Sequence, residues 1–430
     1  MTVQEMKKLV CEAIDKNADN IIDVAESIFA EPELGYKEFK TAEKVKAVFD
    51  KLGFAYKDGI AITGVVATAP GGQHNAKVAV MGELDAVVCP EHRCADPETG
   101  AAHSCGHHAQ IASMLGVAYG LKDSGILPEL GGDVALMAVP AEEGVELEYR
   151  NDLMQQGKIS YLGGKQEFIK LGVFDDIDAM IMQHTIGGDK VTAGGPGGMG
   201  FVAKIIKYYG KECHVASPHL GINALDAAKV GLVAVDAIRS TFQDKDSIRF
   251  HPIITKGGNL VNVVPGFVQI ETFVRGRSIE AIKDASSRID RALRAGADAI
   301  GAKCEIYNLP GYLFANETPE LKSLVHDNLA ELVGEDRIVE GVGFTTEAND
   351  VSQLLPTVHA TIGGAVGVSH SSDFEIADKN LAYIVAAKML AMTVIDLLAN
   401  GAEKALEIKK NFKAPLTKEQ YIALLDELKA

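Results

Sequence analysis

Between Cys89 and His108 the chain gathers three of its six cysteines and four of its twelve histidines within 20 residues, as Cys89-Pro-Glu-His92-Arg-Cys94 and His103-Ser-Cys105-Gly-His107-His108. Thiol and imidazole side chains at this density suit three chemistries: a structural zinc site, a Cys/His nucleophilic pair, or a metal centre completed by distant ligands. A structural zinc site needs two short ligand pairs, and Cys89 and Cys94 have no second cysteine pair to join them. Cys105 and His107 are two residues apart, a spacing that diverges on a helix and converges only in a turn, which Gly106 supplies. Ile111, Met114, Leu115, Ala118 and Leu121 follow at helical spacing, so Cys105 and His107 stand at a helix N-terminus, where the positive dipole end favours a thiolate. A buried helix start that merely contains polar residues is the structural alternative.

Glu142-Glu143-Gly144 comes directly after the apolar strand pattern Val134 to Val139 and Pro140, at the strand end where α/β proteins build their sites. Two adjacent carboxylates there divide labour naturally: one binds a metal while the other, turned away, accepts a proton from water. In isolation the acid-rich run to Glu148 reads equally as a solvated loop. His184 ends the apolar run Ala179 to Met182 and His370 follows Gly363 to Val368, so both reach a sheet edge, although a lone histidine at a strand end is more often structural.

The elements that must position these residues alternate over the first 190 or so positions. Helical patterns cover roughly 4–29, 38–53 and 107–122, and strands cover 62–67, 76–84 and 134–139, the alternation of an α/β sheet covered by helices. After the break Gly194-Gly195-Pro196-Gly197-Gly198 the order becomes strand (201–209), helix (223–242), strand (248–256), strand (268–275), helix (279–295) and strand (303–309). That β-α-β-β-α-β order predicts an inserted ferredoxin-like α+β satellite. Alternation then resumes with a helix at 319–333, a strand at 357–362 and a long helix at 382–399. The expected α/β architecture is thus a discontinuous catalytic domain with a central β-sheet, residues 1–196 and 309–430, interrupted by a satellite at 197–308.

Composition limits the partners. A chain of 430 residues that is 47% hydrophobic and 23% charged has the make-up of a folded globular protein. Its net charge of −17, with no basic patch, disfavours nucleic acid and anionic membrane surfaces. No stretch of about 18 uninterrupted apolar residues predicts a membrane span, and the N-terminal pattern lacks a signal peptide's apolar core, so the expected location is cytoplasmic, with reduced cysteines.

Taken together these segments resemble the M20 family of metallopeptidases, in particular the amidohydrolase branch that includes N-acyl-amino-acid, aminobenzoyl-glutamate and auxin-conjugate hydrolases. The resemblance runs through Glu31-Pro-Glu-Leu-Gly35, Glu83-Leu-Asp85-Ala86, His103-Ser-Cys-Gly-His107, Pro140-Ala-Glu-Glu-Gly144 and Gln183-His184. It continues in Gly210-Lys-Glu-Cys-His214, Pro218-His219 and Asn262-Val-Val-Pro265, and closes with Thr346 to Ser352 and His370-Ser-Ser-Asp373-Phe374.

The resemblance implies that Cys105, His107, Glu143, His184 and His370 bind two divalent metal ions, that Glu142 is the general base, and that Asp85 supports the centre from behind. It further implies that His214 reaches an active site, often the neighbouring subunit's in a homodimer formed through the satellite, and that Asn262 and Arg275 hold a small substrate's free carboxylate or the developing oxyanion. On sequence alone Asn262 and Arg275 read as turn and strand residues. The mixed donor set suits zinc, and manganese, cobalt or nickel would also be accommodated. The implied reaction is hydrolysis of the amide bond of an N-acyl amino acid, aminoacyl conjugate or dipeptide. Two other classes compete: a noncatalytic metal-stabilised binding protein, against which the intact Glu142 argues, and a metal-independent hydrolase using Cys105 as nucleophile.

Two features depart from the family. His108 stands where an aspartate is usual and Gln110 where a histidine is common, and Glu143 and His184 lie 41 positions apart, further than the branch leads one to expect. The surplus, about 147–165 with Tyr149, Arg150, Lys158 and Tyr161, begins beside the paired glutamates. Substrate selection and a plain surface insertion are equally consistent with it.

Overall fold

Runs such as Val134–Val139 and Ala179–Met182 are apolar at every position rather than every second one, which predicts strands covered on both faces. In the computed structural model of the chain they lie in the middle of an eight-stranded mixed sheet. Its order is Tyr56–Ile60, Gly64–Ala69, Asp133–Val139, Lys77–Glu83, Ala179–Gly187, Thr357–Val366 and Glu375–Ile376, with Val191–Thr192 added against Thr357–Val366. The four strands from Asp133–Val139 to Thr357–Val366 are mutually parallel, so their C-terminal ends share one edge. The structure describes every residue except Val342, Phe344 and Ala430.

Helix His107–Asp123 is buried on every side from His107 to Leu121, as expected of a core helix rather than an amphipathic one. It packs with Val3–Lys16, Ala18–Phe29 and Ala386–Asn411 in one continuous apolar core. The segment Asn380–Asn411 is long and apolar enough to cross a membrane, but 83% of its most apolar stretch is buried inside this unit and its backbone leaves helical geometry at Ala399–Ala402. It is a core helix.

The chain divides into two compact units: Met1–Val145, Gly163–Gly197 and Ala315–Lys418 form the first, and Glu146–Leu162, Gly198–Phe314 and the residues from Glu419 onward form the second. The second unit holds an antiparallel sheet ordered Arg249–Phe250, Phe267–Gly276, Gly200–Tyr209 and Lys303–Pro310, with Ile253–Lys256 also pairing Phe267–Gly276. Helices Ala224–Ile238 and Ile279–Ile300 cover one face through Ile206, Tyr208, Ile270, Ile289 and Leu293. They meet at glycine: a Cβ on Gly296 would lie 2.3 Å from the Gly231 nitrogen. On the other face Phe201, Ala203, Ile205, Leu309 and Tyr312 pack with Leu147 and Leu162.

Two segments placed with the catalytic part by their position in the chain therefore pack in the second unit, Glu146–Leu162 and the C-terminal helix that runs to Lys429. Tyr161 ties them together, its hydroxyl donating to Asp426 Oδ1 at 3.2 Å and its ring lying 4.2 Å from the Lys429 ammonium. Other departures are local. The pattern at 4–29 forms two helices that meet at Asn17, and the strand expected at 248–256 breaks at His251-Pro252, because proline has no N–H to give the ladder.

Candidate metal centre

Each candidate side chain arrives by a separate device at the shared strand edge. Lys77–Glu83 ends in Glu83, and two residues later Asp85 is fixed by its neighbour, since Ala86 bridges Leu34 and donates its N–H to the Glu33 carbonyl at 2.8 Å. The Glu31–Gly35 segment thus clamps the chain beside Asp85. After Asp133–Val139 the chain turns through Ala141 at φ 56, and the buried Glu38 carboxylate accepts from the Ala141 N–H at 2.8 Å and the Thr63 hydroxyl at 2.6 Å. Glu142 and Glu143 follow. Helix His107–Asp123 starts after Gly106 at φ 88, where a Cβ would press at 3.4 Å on both Phe374 and Thr185. His370 has φ 68, a conformation costing about 1 kcal/mol or more in a residue with a side chain, and its N–H donates to the Ser104 carbonyl at 2.8 Å.

The five residues expected to bind metal come together. Cys105 Sγ lies 3.3 Å from His184 Nε2 and 3.2 Å from His370 Nε2, and His370 Nε2 is 3.2 Å from Glu143 Oε1. His107 Nε2 is 3.8 Å from Glu143 Oε1 and 3.9 Å from Glu142 Oε2. Three donor sets result, each with ligand atoms within 4.8 Å of one another: Cys105, His107 and His184; Cys105, Glu143 and His370; and Glu83, His107 and Glu142. The first two share the thiol. Among the described residues neither Cys89 nor Cys94 belongs to any such set, and the ring of His92 is taken by the Phe374 carbonyl at 2.9 Å.

The donors fit divalent cations in type and in orientation. His107 directs Nδ1 at the Asp85 carbonyl at 2.8 Å, and His184 directs Nδ1 at the Thr185 carbonyl at 2.9 Å. A carbonyl only accepts, so both Nδ1 atoms carry a proton and Nε2 is the ring atom turned to the cluster, the orientation of metal-ligating histidines. His107 Nε2 is fully buried, 3.1 Å from Glu83 Oε2. The Asp85 carboxylate accepts the Glu143 N–H at 2.8 Å, so one residue orients two donors, His107 through its carbonyl and Glu143 through its side chain.

The electrostatics separate the adjacent glutamates. Burial, reinforced by Glu83 and Glu143, pushes Glu142 well above the ordinary carboxylate range. Burial opposes ionisation of Glu143 as well, but the His370 hydrogen bond and the His107 charge bring it down to about 2. Cys105 differs from expectation: burial and the Glu143 carboxylate push its thiol well up, outweighing the helix terminus. A cation among these donors reverses that balance, because a coordinated thiol is deprotonated.

Three buried groups beside the centre were not singled out in the sequence. Glu83 ends a parallel strand, the same signal that marks Glu142, and its Oε2 is 3.1 Å from His107 Nε2. Glu347 lies inside the quoted 346–352 segment. Lys165 carries no local signal, since Gly-Gly-Lys reads as an exposed turn, yet it is completely buried.

The remaining candidates belong to the second unit. Cys213–His214 pairs with Val263–Val264, and the Asn262 carbonyl accepts the Val215 N–H at 3.1 Å, so His214 and Asn262 are exposed neighbours at one end of a two-stranded ladder. Arg275 lies apart from them on the main sheet, its guanidinium 5.3 Å from the ring centres of both Phe201 and Phe273.

Residues 79–394 match peptidase family M20/M25/M40. The chain belongs to this family. It is 26% identical to the Xaa-Arg dipeptidase of Mus musculus over 97% of this chain and 94% of that protein. It is 30% identical to IAA-amino acid hydrolase ILR1-like 4 of Arabidopsis thaliana over 64% of this chain and 60% of that protein. Among solved structures, the Bacillus subtilis YXEP protein, a dinuclear metal-binding peptidase of the M20 family, superimposes with a TM-score of 0.62 at 21% identity, covering 89% of this chain and 99% of that one. As an M20 protein the chain is a hydrolase of amide or peptide bonds, and the family's hydrolysis is metal-dependent.

Proposed function

We propose that this M20 enzyme binds two divalent metal ions between Cys105, His107, Glu143, His184 and His370 and hydrolyses the amide bond of small substrates that carry a free carboxylate: N-acyl amino acids, aminoacyl conjugates or dipeptides. The observation that carries this reading is Cys105 Sγ, a single thiol shared by two three-donor sets, with Glu142 outside both and its Oε2 3.9 Å from His107 Nε2. The ions, when bound, polarise the scissile carbonyl and make water acidic enough to be deprotonated near neutral pH. Glu142 takes that proton and returns it to the departing amine nitrogen. Asp85 keeps His107 and Glu143 in register throughout.

The second unit supplies substrate recognition in this reading. Its strand and helix order supports a ferredoxin-like satellite that serves as lid and dimerisation domain. His214 would stabilise the oxyanion in the partner subunit's site, and Asn262 and Arg275 would hold the substrate's carboxylate. Thiolate, imidazole and carboxylate donors favour zinc, with manganese, cobalt or nickel as substitutes, and the composition favours a cytoplasmic location. The test is metal analysis of the purified protein coupled to hydrolysis of a panel of acyl amino acids and dipeptides. About two metals per chain with chelator-sensitive cleavage is the expected result. Activity that survives complete metal removal would move the chemistry to Cys105 as nucleophile.

A further inference from the structure

Lys165 is completely buried in the first turn of helix Gly164–Leu171. Its Nζ lies 2.5 Å from Glu83 Oε1 and 3.5 Å from Glu347 Oε2. The other Glu83 oxygen accepts from Gln110 Nε2 at 2.6 Å. Gln110 lies in the first turn of helix His107–Asp123, and Lys165 stands at the end of the 147–165 segment. Glu347 is fixed in turn by the Gln166 N–H at 2.8 Å, and its own N–H points at Glu142 Oε1 at 3.4 Å. The two glycines before Lys165 make its approach feasible: a Cβ on Gly163 would lie 2.3 Å from Glu347 Oε1, and one on Gly164 would lie 2.0 Å from the Pro140 carbonyl. Gly163-Gly164-Lys165 is therefore shaped to deliver an ammonium group between Glu83 and Glu347.

His107 belongs to two donor sets at once, one with Cys105 and His184 and the other with Glu83 and Glu142. The sets compete for its single free nitrogen. An ion drawn to the oxygen-rich set would also engage Glu142, and a carboxylate that ligates a cation is no longer available as a base. Glu83 Oε2 lies 3.1 Å from His107 Nε2, so what weakens that set is the donor on each Glu83 oxygen, Lys165 on Oε1 and Gln110 on Oε2. We propose that Lys165 is a positioning residue that, with Gln110, keeps the Glu83 carboxylate from ligating a metal ion, so that His107 serves the Cys105 set and Glu142 remains unligated and able to move protons. This rests on the metal centre proposed above.

The test uses cobalt(II), because a thiolate from Cys105 gives cobalt a charge-transfer absorption that no carboxylate gives. Metal-free wild type, Lys165→Met, Lys165→Arg, Glu83→Gln and the double variant Lys165→Met/Glu83→Gln are titrated with cobalt, after circular dichroism confirms their fold. Wild type should reach full thiolate absorption at two equivalents. Lys165→Met should need a third equivalent or show a weakened band, and kcat should fall at least about tenfold with KM little changed, because the base is partly sequestered. Lys165→Arg should keep the two-equivalent endpoint. In the double variant the amide cannot compete for a cation, so the endpoint and the band should return, a rescue that simple loss of packing would not produce. Glu83→Gln alone keeps the test decisive if Lys165→Met does not fold: two equivalents and a full band support the proposal, and loss of a metal shows Glu83 to be a ligand and overturns it. A wild-type endpoint in Lys165→Met overturns it too. If wild type itself shows no thiolate band, the fault lies with the proposed centre and not with Lys165.

Discussion

Glu142 and Glu143 are adjacent in sequence and opposite in environment, and the first test of the centre is to separate them. Glu142→Gln should keep metal and fold while turnover drops at least about 10²-fold, the scale of losing a general base. Glu143→Ala should lose metal, because its carboxylate is the oxygen donor of the set with Cys105 and His370. Equal metal loss in both, or near-normal turnover in Glu142→Gln, would dismiss these roles. Cys105 gives a chemical counterpart: it should resist alkylation in the metal-loaded enzyme and become labelled after chelation, increasingly so as pH rises, since burial and Glu143 push its thiol up. Cys94, partly exposed and outside every donor set found among the described residues, should label equally in both states. His108 tests burial. Burial, and then His107 and His92, lower its pKa to about 3, below the ordinary value near 6.5. The unfolded chain therefore binds the extra proton, and the stability present above about pH 6.5 is lost as pH falls toward 3, by about 1.4 kcal/mol per pH unit for one histidine. His108→Leu should flatten the dependence of the urea midpoint on pH between 7.5 and 5 in metal-free protein, and an unchanged slope would show that His108 titrates normally. At this scale the centre was largely legible, because metal ligands are few residue types at strand and helix ends. Lys165 was not, because nothing local separates a lysine that will be buried against Glu83 from one that faces water.

At the scale of elements, legibility follows how much of the signal is local. Strands buried on both faces and helix His107–Asp123, buried from His107 to Leu121, announce themselves by apolar runs. Helices Leu147–Gln155 and Lys418–Lys429 do not, since one is short and polar and the other follows a break, and which unit each joins is decided by contacts far away in sequence. Helix Lys418–Lys429 buries Tyr421 and Leu425 completely and Leu428 nearly so. Removing the chain from Glu419 onward should cost on the order of 5 kcal/mol as an upper figure for three such side chains. It should also loosen Glu146–Leu162, which loses the Tyr161 contacts with Asp426 and Lys429. Hydrogen exchange should show the loss of protection concentrated there and in the sheet it covers. Unchanged exchange at 147–162 would mean that the terminal helix does not support that segment.

For the whole molecule the decisive question is whether a site is complete within one chain. If His214 serves the partner's site, co-expressing Glu142→Gln with His214→Ala should produce heterodimers holding one site with an intact Glu142 and an intact partner histidine. Random assembly makes half the dimers mixed with one good site of two, so activity should recover to roughly a quarter of wild type. Demonstrated heterodimers without recovery would place His214 in its own chain's chemistry or outside catalysis. The sequence conveys an α/β body with an insertion, since long alternation is hard to mistake, whereas the boundaries of 197 and 308 assumed that everything outside one insertion stays together.

The chain passes from one unit to the other after Val145, Leu162, Gly197, Phe314 and Lys418. The first of these passages begins two residues after Glu143, and the second ends three residues before Lys165. The satellite is consequently no interchangeable cartridge. A chimera cut only at Gly197 and Phe314 would import a foreign sheet while keeping the host's Leu147, Leu162 and terminal helix, stitched at one end to the paired glutamates and at the other to the lysine beside Glu83. Mismatch in the graft would be felt in the host's own chemistry, so a workable exchange has to carry all three pieces of the second unit together.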